Sequence, residues 1–325
     1  MNNAVRKPKA VILDGYAENP GDLSWDTISE VCDLTVYPRT EPALISERIG
    51  DAEIVITNKT PIRKETLDQC HNLKFITVLA TGFDVIDINE ARDRNIIVSN
   101  VPAYGTETVS QYAVALLLEV CHNIGAHSRS VHEGKWQTSI DWCFWESPLI
   151  ELSEKTAGII GLGRIGKKTA QILFSMGMSV LGYDPYVGSV DNSNVKIVDL
   201  AELLAQSDVI LLHCPLTPDN VKLVNETTIS QMRDGVIIIN NSRGALIDER
   251  ALADALDSGK VSAAAVDVVS KEPISDDNPL LHAKNCLITP HISWATREAR
   301  QRIMNTTKDN IDAFLADAPI NVVNT

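Results

Sequence analysis

Gly161-Leu162-Gly163-Arg164-Ile165-Gly166 follows an apolar run at 157–160 and opens a helix-like stretch at 167–176. A second strand candidate, 179–183, then ends in Asp184, eighteen residues beyond the last glycine. A G-x-G-x-x-G alone is a weak signal; set between a strand and a helix, with a carboxylate tipping the next strand, it is a strong one. Glycines permit the tight turn and a close backbone approach, and the helix N-terminus offers unpaired N–H groups to a pyrophosphate. The carboxylate accepts hydrogen bonds from a ribose 2′-OH. Gly161, Leu162, Gly163, Arg164, Ile165, Gly166 and Asp184 are therefore read as a dinucleotide cradle. A 2′-phosphate would meet the like charge of Asp184, with no Lys or Arg in 185–190 to offset it, so NAD is expected rather than NADP. The blander readings are a glycine turn that only packs helix on sheet, and an aspartate that only caps the turn before Pro185.

Outward from this motif, short apolar runs alternate with helix-prone stretches, the rhythm of parallel βαβ units. Strand candidates at 156–160, 179–183, 209–214, 236–240, 263–268 and 286–288 make a six-stranded sheet. Upstream, 10–14, 34–37, 54–57, 75–79 and 96–98, with helical segments at 41–49 and 61–67, make a smaller unit. Residues 106–120 suit a buried or connecting helix, and after Pro290 the chain returns to helix at 297–315, too late to start another βαβ unit. The expected fold class is α/β with two Rossmann-like domains. A flavodoxin-like substrate domain (1–101 and 292–325) carries an inserted doubly wound parallel sheet that binds NAD (102–291).

Composition narrows the function. The 325 residues suffice for two cores, and 29 Lys+Arg against 43 Asp+Glu give a net charge of −14. That balance argues against nucleic-acid binding by counterion release, yet a few local arginines can still hold a small anion. Six cysteines (32, 70, 121, 143, 214, 286) include no C-x-x-C, so free thiols, small buried hydrophobes in a reducing compartment, are expected rather than a zinc site or disulfides. Residues 1–9 are polar and basic, and the first apolar stretch is too short for a signal peptide or membrane span. The expectation is a soluble, cytoplasmic protein that engages neither membrane nor metal.

Three residues just past strand ends suggest chemistry. Arg243, in Asn240-Asn241-Ser242-Arg243-Gly244, lies where open α/β sheets bind ligands, and its guanidinium can grip a carboxylate through two parallel hydrogen bonds. Glu272 follows the 263–268 strand and His291 follows the 286–288 strand. A histidine moves protons near neutral pH, and an adjacent carboxylate stabilises its charged form and fixes its tautomer. Taken singly, each is an ordinary surface or structural residue; taken together, they make an acid–base site.

Gly161-Leu162-Gly163-Arg164-Ile165-Gly166, Asn241-Ser242-Arg243-Gly244, Glu272-Pro273 and Pro290-His291 resemble, in order and spacing, the D-isomer-specific 2-hydroxyacid dehydrogenases, and the likeness runs over most of the chain. Ala80-Thr81-Gly82-Phe83-Asp84 resembles the family's substrate loop. Val101-Pro102-Ala103-Tyr104-Gly105-Thr106 and Pro290-His291-Ile292-Ser293-Trp294-Ala295-Thr296 are similar to glycerate dehydrogenases, also called hydroxypyruvate reductases. The resemblance implies that Arg243 clamps a 2-oxo acid, His291 gives a proton to its carbonyl oxygen and Glu272 holds that histidine. It implies that Asp267 meets the nicotinamide carboxamide, that Thr108 lies near the nicotinamide, and that amides around Thr81 and Gly82 meet the substrate carboxylate. Cys214, Pro215 and Thr217 resemble a cofactor-lining stretch, beside which His213 is structural, and Asn241 and Ser242 join them. A homodimer through the cofactor domain, with the active site in the interdomain cleft, is also implied.

Some readings stay open. Trp294 either narrows the substrate side or serves as a core or dimer-contact residue. The segment 136–145, with Trp136, Trp142 and Trp145, is either a dimer-interface loop or packing of a long connection. Hydroxypyruvate and glyoxylate are the first candidate substrates, and another 2-oxo acid such as pyruvate is an alternative. A corepressor-like protein that senses NAD without turnover is the reading from a different class. Formate dehydrogenases of this scaffold pair the histidine with Gln, from which Glu272 departs.

Overall fold

The computed structural model describes residues 6–188 and 194–325, so part of the N-terminal reading and positions 189–190 of the loop after Asp184 lie outside the described residues. The chain divides into two units: the part up to Tyr104 with Ala295–Thr325, and Gly105–Trp294.

In the first unit, β1 (Lys9–Ile12), β2 (Asp33–Val36), β3 (Ile54–Thr57), β4 (Phe75–Val78) and β5 (Ile97–Ser99) form a parallel sheet in the order β2-β1-β3-β4-β5, the flavodoxin-like order. β3 and β4 are buried at every position, as strands covered on both faces must be, which explains why they read as near-continuous apolar runs broken only by Thr57 and Thr77. The helix Arg297–Leu315 buries Ala299, Ile303, Met304, Thr307 and Ile311, a 3.6-residue stripe, and Phe314 stacks on Phe75 with ring centroids 4.5 Å apart. Buried Asn310 ties that helix to the sheet, donating to Thr77 Oγ1 (3.3 Å) and to the Asn100 carbonyl (2.9 Å). Beyond it Val322 pairs with Ser99, and the Asn324 side chain accepts from Val98 N (2.9 Å) and donates to the Ile96 carbonyl (2.8 Å).

The turns after β1 and β3 are joined by carboxylates. Asp14 accepts from the amides of Asn58, Lys59 and Thr60 at 2.8, 2.6 and 2.8 Å. Glu18 is fully buried; its Oε1 accepts from Asn58 Nδ2 (2.6 Å), while Oε2 meets no partner among the described residues. Burial, reinforced by the negative charge of Asp14, pushes the Glu18 carboxyl up to about 8. Arg300 donates to the Glu18 carbonyl (2.9 Å) and grips Asp22 through both terminal nitrogens (2.8 and 2.6 Å).

The second unit holds β6 (Thr156–Ile160), β7 (Ser179–Tyr183), β8 (Lys196–Ile197), β9 (Val209–Leu212), β10 (Val236–Asn240), β11 (Val261–Val266) and β12 (Cys286–Ile288). Their order is β12-β11-β10-β9-β6-β7-β8, all parallel, so the sheet has seven strands where the sequence suggested six. The extra strand, β8, is two residues at the sheet edge, one an exposed lysine, too short to carry a periodic signal. Alternation sorts the inner strands between two cores: Ile160, Ile210, Leu212 and Ile238 in one, Ile159, Leu211, Ile237 and Ile239 in the other. The helix Thr106–His122 packs on the second of these with Ala113, Val114, Leu116 and Leu117, and ends at Asn123 in the left-handed conformation. Each fully buried aliphatic side chain of this kind contributes roughly 1.5–3 kcal/mol.

Trp136, Ile140, Trp142, Trp145 and Leu149 of the second unit are exposed. No helix among the described residues is long and apolar enough to cross a membrane. All six cysteines are unbonded; Cys32, Cys70 and Cys121 are buried, and Cys143, Cys214 and Cys286 are half-buried, Cys214 and Cys286 packing against the core.

Candidate active site

Parallel strands deliver all their carboxyl ends to one edge, and in the second unit that edge collects the motifs. β6 and its neighbours β7 and β9 mark the point where strand order reverses, and the glycine loop leaves from β6 there. Gly161 has φ +100°, and a Cβ on it would lie 2.5 Å from Cys214 N; a Cβ on Gly166 would lie 1.9 Å from the Gly161 carbonyl oxygen. Neither position admits a side chain without moving backbone. Gly163, by contrast, faces open space and begins the helix Arg164–Ser175, whose first turn no side chain caps. Those amides and the helix dipole suit an anionic group. Leu162 is buried beneath the loop, Ile165 is half-buried, and Arg164 is exposed.

Asp184 caps its own turn and also reaches the cradle. Its Oδ1 accepts from Tyr186 N (2.9 Å) and its Oδ2 from Leu162 N (2.8 Å), which fixes the carboxylate while each oxygen keeps acceptor capacity for a ribose hydroxyl. After β9, His213 N donates to the Ile160 carbonyl (2.7 Å), so this loop is laced to β6. The loop is also tied within itself: Thr217 N donates to Asn220 Oδ1 (2.7 Å), and Asn220 Nδ2 donates to the Pro215 carbonyl (2.8 Å). The Cys214 carbonyl accepts from Ser242 Oγ (2.6 Å), joining this loop to the one after β10. The His213 ring Nε2 is shut off from solvent with no partner among the described residues, and burial lowers that imidazole to about 4, so it stays neutral at ordinary pH.

Beyond β10, Asn240 folds its loop locally. Its side chain accepts from Ser242 N (3.1 Å) and donates to the Arg243 carbonyl (3.0 Å). Arg243 is exposed and extended, with one terminal nitrogen on the Ser242 carbonyl (2.9 Å). Beyond β12, His291 has φ +56°, an uncommon conformation for a residue with a Cβ. It is held there by its amide, which donates to the carbonyls of Asp267 (2.8 Å) and Thr289 (3.0 Å). Its Nδ1 lies 2.7 Å from Glu272 Oε2, and both side chains are about one-third exposed, at 32% and 37%. At that exposure the pair adds little to stability, but it sets the ring's orientation and stays open to a ligand.

Trp294 and Asp267, which the resemblance gives other roles, also hold the backbone around His291. The indole N–H of Trp294 donates to the His291 carbonyl (2.8 Å), making Trp294 a brace for that backbone. The buried Asp267 carboxylate accepts from Thr289 Oγ1 (2.6 Å) and from the amides of Ile292 (2.9 Å) and Ser293 (2.8 Å), leaving roughly one acceptor site for an amide donor. Ser293 in turn receives Thr108 Oγ1 on its carbonyl (3.1 Å) and Asn241 Nδ2 on its hydroxyl (3.3 Å). Asn241 Oδ1 is buried without a partner among the described residues, an acceptor suited to an amide such as a nicotinamide carboxamide. The signal for Asp267 was available, since an acid buried at a strand end must find donors; its partners, more than twenty residues on, were not. Thr81 and Gly82 belong to the first unit, where Thr81 Oγ1 donates to the Val101 carbonyl (3.0 Å) and Asn100 Nδ2 to the Thr81 carbonyl (2.7 Å). Among the described residues no cluster of three His, Cys, Asp or Glu side chains is arranged to hold a metal ion.

Residues 114–293 match the family described as D-isomer specific 2-hydroxyacid dehydrogenase, NAD binding domain. A hydroxypyruvate reductase from Blautia hydrogenotrophica is 55% identical over 320 residues, covering 97% of this chain and 99% of that protein. A glycerate dehydrogenase from Methylorubrum extorquens is 40% identical over 284 residues, covering 87% and 88%. Among solved structures, an NAD-dependent formate dehydrogenase from Staphylococcus aureus in complex with NAD superposes with a TM-score of 0.81 at 26% identity, covering 97% of this chain and 98% of that one.

Proposed function

The chain belongs to the D-isomer specific 2-hydroxyacid dehydrogenase family, and on that premise we propose that it reduces hydroxypyruvate to D-glycerate, and glyoxylate to glycolate. It is an NAD-dependent oxidoreductase acting on the CH–OH group of D-2-hydroxy acids. NADH, when bound, supplies the hydride for the C2 carbonyl. In this reading the protein's own residues do the rest. The Arg243 guanidinium grips the carboxylate and carbonyl oxygens of the 2-oxo acid. His291, with Nδ1–H committed to Glu272, gives the proton on Nε2 to the carbonyl oxygen as the alkoxide forms, and takes it back in the reverse direction. Glu272 offsets the imidazolium charge. The 2.7 Å Glu272–His291 contact at the same sheet edge as Arg243 carries the proposal.

Around that core, Asp267 and Asn241 Oδ1 take the nicotinamide carboxamide, Thr108 lies near the ring, and Asp184 takes the ribose hydroxyls. Gly161, Gly163 and Gly166, with Leu162, Arg164 and Ile165, receive the pyrophosphate, and Cys214, Pro215, Thr217 and Ser242 line the cofactor. Amides around Thr81 and Gly82 are further contacts for the substrate carboxylate, and Trp294 bounds the substrate side. The exposed Trp136, Trp142 and Trp145 support a homodimer through the NAD-binding unit. Six unbonded cysteines support a cytoplasmic location.

The deciding experiment is NADH oxidation by the purified protein with hydroxypyruvate, glyoxylate, pyruvate and phenylpyruvate, repeated with NADPH. Fastest turnover of hydroxypyruvate with NADH is the expected result. A bulkier preferred acid would keep the chemistry and move the substrate. Tight NADH binding without turnover of any of the four would turn the assignment toward a binding protein.

A further inference from the structure

Glu272 sits in a solvent-facing loop between β11 and the 3-10 turn Pro279–Leu281, yet its carboxylate must stay within hydrogen-bond reach of His291. Two attachments fasten that loop. The first is steric: a Cβ on Gly244 would lie 1.9 Å from the Val269 carbonyl carbon and 2.5 Å from Ser270 N, so the loop backbone lies flush on the residue after Arg243. The second is polar. Glu249 Oε1 accepts from Ser270 N at 2.7 Å, and Oε2 accepts from Ser270 Oγ at 2.8 Å and from Asn278 Nδ2 at 3.1 Å. Ser270 and Asn278 are the two stems of the loop, and Glu272 lies between them. Asn278 is buried, and its Oδ1 accepts from Leu280 N (3.0 Å), so the far stem is anchored in turn. Within the loop, Val269 N donates to Glu272 Oε1 (3.3 Å).

Glu249 is not the cap of its own helix. That helix, Glu249–Ser258, is capped by Asp248, whose carboxylate accepts from the amides of Arg250 and Ala251 and pairs with Lys222. The Glu249 carboxylate takes three donors from a loop 21 to 29 residues further along the chain.

We propose that Glu249 is a positioning residue for the reaction: by clamping Ser270 and Asn278 it holds Glu272 where Glu272 can fix His291. The proposal rests on the reading of Glu272 and His291 as the proton-handling pair. Its effect on catalysis runs through Ser270 and Asn278 and the loop they bound.

The test is a double-mutant cycle on hydroxypyruvate reduction, with kcat, KM, NADH affinity by fluorescence, solvent deuterium isotope effect and Tm measured for each variant. Glu249→Ala should lower kcat about tenfold, the scale of a sub-ångström misplacement, with NADH affinity held within about twofold. Its isotope effect should rise as proton transfer becomes limiting. Glu249→Gln, which keeps one acceptor for Ser270 N, should fall between. In a Glu272→Gln background, adding Glu249→Ala should change kcat by less than about twofold, since its route of action is already cut. An equal proportional loss in both backgrounds, or a loss that tracks Tm and NADH affinity, would overturn the positioning role. So would an unchanged Glu249→Ala enzyme. Unchanged kcat in Glu272→Gln alone would instead overturn the pair itself. Should Glu249→Ala fold poorly, Ser270→Ala removes one donor and is expected to give a smaller loss with the same background dependence.

Discussion

Glu272 Oε2 lies 2.7 Å from Nδ1 of His291, which commits that nitrogen to the carboxylate and leaves proton exchange with a substrate to Nε2. His291→Ala removes the exchange and should lower kcat by about 10²–10⁴-fold. NADH affinity should stay within about twofold, because the glycine loop and Asp184 are untouched. Stopped-flow turnover beside fluorescence titration separates the two; a parallel loss of both would assign His291 to cofactor binding.

Arg243 presents an exposed guanidinium at the edge where β10 ends. Arg243→Ala should raise KM for the 2-oxo acid and lower kcat, with kcat/KM down about a hundredfold, the scale of losing hydrogen bonds to a charged group. Arg243→Lys should rescue little, since an ammonium cannot reproduce the planar two-point grip. Steady-state kinetics with near-normal values for the Lys variant would reduce Arg243 to a plain positive charge.

The anchored Asp184 carboxylate predicts the direction of a cofactor switch. Asp184→Ala removes both the acceptor for the 2′-OH and the repulsion of a 2′-phosphate, so KM for NADH should rise and KM for NADPH should fall. The preference should narrow about tenfold or more. Equal changes with the two cofactors would show that Asp184 only shapes its turn.

Glu18 makes stability depend on pH through the first unit. Its folded value near 8 stands above the ordinary 4.5, so between those pH values the folded chain holds a proton that the unfolded chain has released. Unfolding free energy therefore falls as pH rises through that window, by an amount on the order of a few kcal/mol. Glu18→Gln should flatten the slope and be the more stable protein at pH 9. Urea denaturation at pH 5, 7 and 9 reads this directly, and parallel slopes for the two proteins would remove Glu18 as the cause.

The sheets were legible because largely buried parallel strands are written as short, mostly apolar runs between helix-prone stretches. Residues 54–57, 156–160, 179–183, 236–240 and 286–288 match strand bounds to the residue. β8 was not, since two edge residues have no period. The positions of Arg243, Glu272 and His291 past strand ends followed from the same runs. What holds them did not: Trp294 on the His291 carbonyl, Asp267 on the Ile292 and Ser293 amides, and Glu249 on Ser270 are single contacts with no repeating pattern. The clamp on the Glu272 loop needs coordinates, because nothing in the sequence of Glu249-Arg250-Ala251 points twenty residues ahead.

The return of Arg297–Leu315 to the first sheet fixes an order of events during synthesis. Asn310 closes on the carbonyl of Asn100 across 210 residues, and at ribosomal rates roughly ten to forty seconds separate the emergence of the two. Through that interval β3 and β4 are out of the ribosome without the helix that covers Phe75, while the inserted unit emerges complete. A nascent chain therefore has its nucleotide-binding unit ready to fold first, and the strands made before that unit are sheltered after it. Loss of residues 297–324 would strike the first sheet, where such strands, left uncovered, are the ones a chaperone has to guard.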